Sequence, residues 1–143
     1  MRGFLWMILP GLFILSNTGI ENRVLPAGKV IMVTVNEKGL ALIGPETFTM
    51  DGLVMELQTR LWKSYLGTGK MYDAIILKYE GSVDSLVRDT VIKSIKEAME
   101  KALTDICLQL HRKRFGDLSG SQQNKIRKLF PVLFQEDFET PSK

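Results

Sequence analysis

The feature that most constrains the fold is a long amphipathic pattern in the second half of the chain. Apolar residues recur every three or four positions until Gly116, while lysines and glutamates occupy the other side. The apolar positions are Val83, Leu86, Val87, Val91, Ile95, Met99, Leu103, Ile106 and Leu110. At 3.6 residues per turn, this pattern predicts one helix of about seven or eight turns. Such a stripe is more typical of a helix that covers a sheet than of a cofactor site.

The segments before this helix predict a hairpin, a helix and a third strand. The β-branched run Val30–Val35 predicts a strand, residues 36–39 form a turn that ends in glycine, and residues 40–44 predict the returning strand. Residues 51–66 place leucines on one face, which predicts a helix that ends at the following glycines. Residues 73–80 carry four consecutive apolar residues, and this run predicts a central strand.

This order, β-β-α-β-α, predicts an α+β fold in which two helices pack on one face of a small sheet. Ser82 is the expected N-cap of the long helix. A C-terminal helical extension is expected from about Ser121 to Pro131. The hydrophobic residues of the tail either dock or remain loose, and they are Leu133, Phe134 and Phe138.

The amino terminus has one positive charge followed by an apolar run. The apolar positions are Phe4, Leu5, Trp6, Met7, Ile8, Leu9, Leu12, Phe13, Ile14 and Leu15. The run is shorter than the roughly 20 residues of a helix that spans a bilayer. Three interpretations stay open, namely a cleaved signal, a short uncleaved anchor, and the end of a transmembrane helix whose beginning is missing. All three place the chain from Ile20 onward outside the cytoplasm, and a buried core strand is the remaining alternative.

These patterns divide the chain into four parts. Residues 1–19 are the hydrophobic segment, residues 20–29 a linker, residues 30–116 the α+β domain, and residues 117–143 the helical extension and tail.

Few residues suggest catalysis or metal binding. His111 is the only histidine and Cys107 the only cysteine, so neither a histidine-based metal site nor an internal disulfide is supported. Residues 67–70 (GTGK) superficially suggest a phosphate loop, but they follow a helix and precede a strand. That order is the reverse of the one that directs a helix N-terminus at phosphate. We therefore expect no cofactor, no metal and no enzymatic activity.

The charge of the chain does not predict nucleic-acid binding. The net charge is only +3, and the short basic run 111–114 lies at the end of a predicted helix, where cations complement the helix dipole. Binding by strand addition, in contrast, requires no special side chains and suits a chain that is poor in chemical motifs. The possible partner-binding edge strand consists of Val30, Ile31, Met32, Val33, Thr34 and Val35.

Three stretches resemble the ExbD/TolR family of biopolymer transport proteins, over roughly residues 24–134. The stretch VIMVTVNEKGLALIGPETFTMDGLVMELQTRL is similar to the strand, charged turn, strand and helix of the family's periplasmic domain. The stretch DAIILKYEGSVDSLVRDTVIKSIKEA is similar to its next strand, polar turn and long helix. The segment RFGDLSGSQQNKIRKLFP resembles a carboxy-terminal extension of ExbD-like proteins from Bacteroidetes.

The resemblance implies a non-catalytic, single-pass protein of the inner membrane with its main domain in the periplasm. Such a protein supports outer-membrane transport in a complex of the TonB-ExbB-ExbD or Tol-Pal type, which the proton-motive force drives. The implied partners are an ExbB/TolQ-like membrane protein, a TonB/TolA-like protein and a second copy of the chain. A secreted or periplasmic protein-binding module without a motor role is the alternative.

The sequence departs from the family at the transmembrane aspartate that serves proton passage. If residues 12–16 correspond to the end of the family's transmembrane helix, the place of that aspartate falls near Phe4, and no acid occurs before Glu21. Either the beginning of the chain is missing or proton conduction has been lost, and no proton-binding residue is carried over. The family's last strand is not evident either, because the helical extension takes its place.

Overall fold

The computed structural model describes residues 29–139. These residues form four strands and three α-helices, in the order β1 (Val30–Val35), β2 (Ala41–Ile43), β3 (Glu46–Phe48), α1 (Met50–Thr68), β4 (Ala74–Tyr79), α2 (Ser85–His111) and α3 (Gly120–Leu129). Two short 3-10 turns flank α3, and they are Phe115–Asp117 and Pro131–Phe134. The predicted α+β fold is confirmed, with β3 as an additional strand that the sequence patterns did not indicate.

The strands form one sheet in the order β3-β2-β1-β4. β1 pairs in parallel with β4 along its whole length, and it pairs antiparallel with β2 at Thr34 and Val35. β1 is therefore interior at Thr34 and Val35, which corrects the expectation of an edge strand for these two residues, whereas Val30–Val33 extend past the end of β2 and have a strand neighbour only on the β4 side. A parallel pair requires a long crossover, and the connection through β2, β3 and α1 places β4 beside β1.

β4 is the last strand in the sheet order rather than a central one, which corrects a second expectation. Its residues Ala74, Ile75, Ile76 and Leu77 are nevertheless all buried. Ile75 and Leu77 belong to the main core, while their neighbours along the strand point to the opposite face. The outer side of β4 is covered by the tail of the chain, as described below.

Local capping explains where the two long helices begin and end. The Thr49 side chain accepts a hydrogen bond from the Gly52 N–H before α1, and Gly69 ends α1 with a φ of 72°. Asp84, rather than the expected Ser82, caps α2 by accepting a hydrogen bond from the Leu86 N–H at 3.2 Å. The long helix is therefore confirmed, and it begins two residues later than the apolar pattern suggested.

The core lies between one face of the sheet and the helices. α1 and α2 pack against each other, and their buried faces repeat every three or four residues, as the sequence pattern predicts. The large side chains that are fully buried include Val33, Val35, Leu53, Leu57, Leu61, Ile75, Leu77, Val91, Ile95 and Ile106.

The tail docks against this core. Leu133 and Phe138 are buried, and Phe134 is half-buried. Within residues 29–139, no helix combines the length and the apolar character that a bilayer span requires. The apolar segment 4–15 and most of the linker lie outside the described residues.

Candidate partner-binding edges of the sheet

The outer side of β3 is one end of the sheet. β3 pairs only with β2, and Thr47 lies opposite Leu42. Hydrogen-bonded and non-hydrogen-bonded pairs alternate along antiparallel strands. The Asn36 N–H donates to the Leu40 carbonyl at 3.1 Å, so Leu42, two residues further on, directs its backbone groups toward β1. The backbone N–H and C=O of Thr47 consequently face away from β2, where an extended peptide can pair with them.

An ion-pair arrangement joins β3 to α1. The Arg60 guanidinium lies 2.7 Å from the Glu56 carboxylate, one helical turn away, and 3.4 Å from the Glu46 carboxylate of β3. Both contacts are partly exposed, so each contributes at most about 1 kcal/mol. Their effect is to fix the direction of the β3 edge. This edge is short and charged, a combination that limits uncontrolled strand pairing.

The outer side of β4 is occupied by the chain's own tail. Gln135 imitates a paired strand with its side-chain amide: its Oε1 accepts from the Ile75 N–H at 3.0 Å, and its Nε2 donates to the Ile75 carbonyl at 2.8 Å. Two residues along β4, the Leu77 N–H donates to the Phe138 carbonyl at 2.8 Å, and Leu77 forms a parallel bridge with Glu139. The longer edge of the sheet is thus largely satisfied within the chain.

The end of this covered edge contains Tyr79, a half-buried tyrosine. The Tyr79 hydroxyl is buried without a hydrogen-bond partner among the described residues, and the Arg88 guanidinium lies 4.2 Å from the centre of its ring. Burial raises the pKa of Tyr79 above its ordinary value of 10.0, and the negative charge of Glu139 adds to this effect. The phenol therefore stays neutral at physiological pH.

A cleft of about 710 Å³ opens at the end of the sheet where β1 begins. Its residues Lys29 and Asp73 exchange two hydrogen bonds, one from each backbone N–H, at 2.8 and 2.7 Å. The Lys29 ammonium donates to the Ser64 hydroxyl at 2.8 Å and lies 4.6 Å from the centre of the Tyr72 ring. These contacts hold in place the point at which the linker enters the sheet.

The structure does not assemble the chemically active side chains. Cys107 is fully buried in the core, where burial raises the pKa of its thiol above 9.0. His111 lies half-buried in the last turn of α2. Among residues 29–139, no three side chains of the histidine, cysteine, aspartate and glutamate types are grouped so that they could hold a metal ion.

The two sets of site residues that the sequence suggested have different outcomes. The membrane segment lies outside the described residues. The strand Val30–Val35 is interior, although its first residues extend past the end of β2. Sequence reasoning missed Thr47 and Gln135, the residues that define the two sheet edges. The Gly44-Pro45 turn after β2 is the only sequence signal that a further strand with Thr47 follows. No sequence signal marks Gln135.

Comparisons with protein-family models, with curated proteins and with solved structures gave no match to this chain.

Proposed function

We propose that the protein is a non-catalytic, membrane-anchored subunit of an energy-coupling complex that the proton-motive force drives. It is held in the inner membrane by the apolar segment 4–15, with residues 30–139 in the periplasm. Its partners are an ExbB/TolQ-like membrane protein, a TonB/TolA-like protein and a second copy of the chain. The resemblance to the ExbD/TolR family motivates this proposal. The observation that carries it is the outward-facing backbone of Thr47, on an α+β unit that has the expected element order with β3 added.

The geometry of the β3 edge suits reversible binding of an extended partner segment. A strand added there gains main-chain hydrogen bonds with the N–H and C=O of Thr47, each worth about 1 kcal/mol net. Three residues, Glu46–Phe48, form the whole edge. Such an interaction is weak and easily broken, which fits a subunit that engages and releases its partner repeatedly.

The first test is a pull-down of the tagged full-length protein from detergent-solubilised membranes. We expect an ExbB/TolQ-like protein and a TonB/TolA-like protein to co-purify. The variant Thr47→Pro removes the outward-facing N–H, and proline is tolerated at such an edge position because no ladder hydrogen bond is lost. It is expected to lose the TonB/TolA-like partner while keeping the membrane partner.

The matched control is Thr47→Val, which retains the N–H and a β-branched side chain. Equal recovery of the TonB/TolA-like partner with both variants would exclude strand addition at β3. Recovery of the protein alone, from the soluble fraction, would overturn the coupling role.

One observation favours a second candidate, a periplasmic protein-binding module without a motor role. Residues 1–20 contain no acid, so the apolar segment 4–15 itself holds no carboxylate that could serve proton passage. Mass determination of the mature protein discriminates between the candidates. A cleaved chain beginning near Gly19 or Ile20 supports the binding module, and an intact amino terminus supports the anchored subunit.

A further inference from the structure

The segment from the end of α2 to the end of α3 differs in charge from the rest of the described chain. Residues 108–131 contain a single acid, Asp117. The same segment contains six cationic side chains, all exposed, and they are Arg112, Lys113, Arg114, Lys125, Arg127 and Lys128. None of the three ion pairs found within residues 29–139 involves any of these six. We call this segment the basic segment.

The fold holds the two basic parts of this segment together. Arg112 ends α2 with a φ of 59°, and the chain then turns back through Phe115–Asp117. The Gln123 side chain of α3 donates to the Phe115 carbonyl at 3.0 Å, and the Arg127 guanidinium lies 5.2 Å from the centre of the Phe115 ring. The cations of α3 are therefore held beside the turn 115–117, which directly follows Arg112, Lys113 and Arg114.

Exposed leucines accompany the cations. The described residues include six large hydrophobic side chains that are exposed, and three of them belong to the basic segment. These are Leu108, Leu110 and Leu129, which are 43%, 41% and 55% exposed. Cations together with protruding leucines are the composition of surfaces that rest on anionic lipid headgroups.

The position of α3 relates this segment to the membrane anchor of the proposed function. Leu129 and Phe130, at the end of α3, line the same cleft as Lys29, the first described residue. The 13 residues 16–28 separate that lysine from the apolar segment, and an extended chain of this length reaches at most about 45 Å. The end of α3 therefore lies beside Lys29, the residue at which the described fold begins.

We infer that the basic segment docks the domain onto a membrane surface that contains anionic phospholipids. This inference rests on the proposed membrane anchoring and adds the surface that lies against the lipid. A single-stranded nucleic acid is the less suitable occupant, because its bases stack on aromatic side chains; a duplex, which needs only cations, would leave the exposed leucines without a role. The rings beside the cations, Phe115 and Phe134, are only partly exposed and lie against Arg127.

The test uses full-length protein in vesicles of phosphatidylcholine alone and in vesicles with added phosphatidylglycerol. A spin label is attached at Leu110→Cys or Leu129→Cys in a Cys107→Ala background, and its exposure to oxygen and to a water-soluble nickel complex is measured. We expect both labels to move into the headgroup region only when phosphatidylglycerol is present, and to leave it at high salt. A label at Met55→Cys, which is 70% exposed on α1, should stay in water in both cases.

Charge reversal gives the matched comparison. Arg112→Glu together with Lys113→Glu is expected to return both labels to water. Lys93→Glu together with Lys96→Glu, at exposed positions within α2, changes the net charge equally, and it should have no effect. Labels that stay in water in both vesicle types overturn the inference, as does salt-dependent binding to duplex DNA without lipid contact. Vesicle flotation distinguishes a failure of this inference from a failure of the proposed function. A chain that floats with neutral vesicles but keeps its labels in water is anchored without docking, whereas a chain that does not float with them lacks the anchor.

Discussion

The contact between Gln135 and β4 gives a prediction whose size follows from the structure. Its amide makes two hydrogen bonds with the backbone of Ile75 and a third with the Asp137 carbonyl at 2.8 Å. Gln135→Ala removes the partners of one N–H and one C=O at the sheet edge. Each hydrogen bond contributes about 0.5–1.5 kcal/mol net. Ile75 is fully buried and Gln135 is half-buried. Shortening Gln135 to alanine opens this edge to water, which replaces part of the loss, so we expect the free energy of unfolding to fall by about 1–2 kcal/mol.

Two measurements test this prediction. Equilibrium denaturation in urea gives the change in the free energy of unfolding, and hydrogen exchange reports the Ile75 amide, which should lose protection in the variant. The control is Glu136→Ala, an exposed neighbour in the same tail. The reasoning would be refuted if Gln135→Ala matched the control in stability and left the Ile75 amide protected, because the amide would then contribute nothing to the edge.

Three further predictions concern the turn before α2 and the titration of the core. Gly81 has a φ of 73°, and an added Cβ would collide with the Glu37 carboxylate. Gly81→Ala should therefore lower the free energy of unfolding, measured in urea, by about 1–2 kcal/mol. The control Gly116→Ala should lower it much less, because a Cβ at Gly116 meets open space. Because the folded state raises the pKa of Cys107 above 9.0 and of Tyr79 above 10.0, it binds these protons more tightly than the unfolded chain. The contribution of these two groups to the free energy of unfolding should therefore be constant below about pH 9 and fall as the pH rises further, and Tyr79→Phe should remove the part of the fall above pH 10. The Cys107 thiol should react with a thiol reagent only as fast as the core opens, and rapid labelling of the native protein would contradict its burial.

Elements with a strong period were predictable from the sequence. The first strand and the long helix are confirmed because each carries enough apolar residues at a fixed spacing to identify its buried face, and the third predicted strand is confirmed because it is a short continuous apolar run. β3 has only three residues, two of them exposed, so Glu46–Phe48 shows no alternation that a pattern could detect. Its existence depends on pairing with β2, which is a tertiary effect.

Strand order was the part that the sequence could not supply. The run Val30–Val35 alternates between buried and half-buried positions, and this pattern fits either an edge or an interior strand. β4 was expected in the centre because it is apolar on both faces, but its burial depends partly on the tail. No sequence pattern indicates that the Gln135 side chain forms hydrogen bonds with the backbone of Ile75 at the edge of β4.

The two edges of the sheet differ in how they are protected, and this difference limits how the domain can associate. The β4 edge is the longer one, and the tail satisfies the outward-facing groups of Ile75 and Leu77. The β3 edge presents the outward-facing groups of Thr47, beside the charged Glu46. Long apolar edges support stable and indiscriminate pairing, whereas short charged edges support only weak pairing. Since the longer of these two edges is covered from within the chain, strand addition at the two ends of the described sheet is limited to the weak β3 edge, and a partner bound there remains exchangeable.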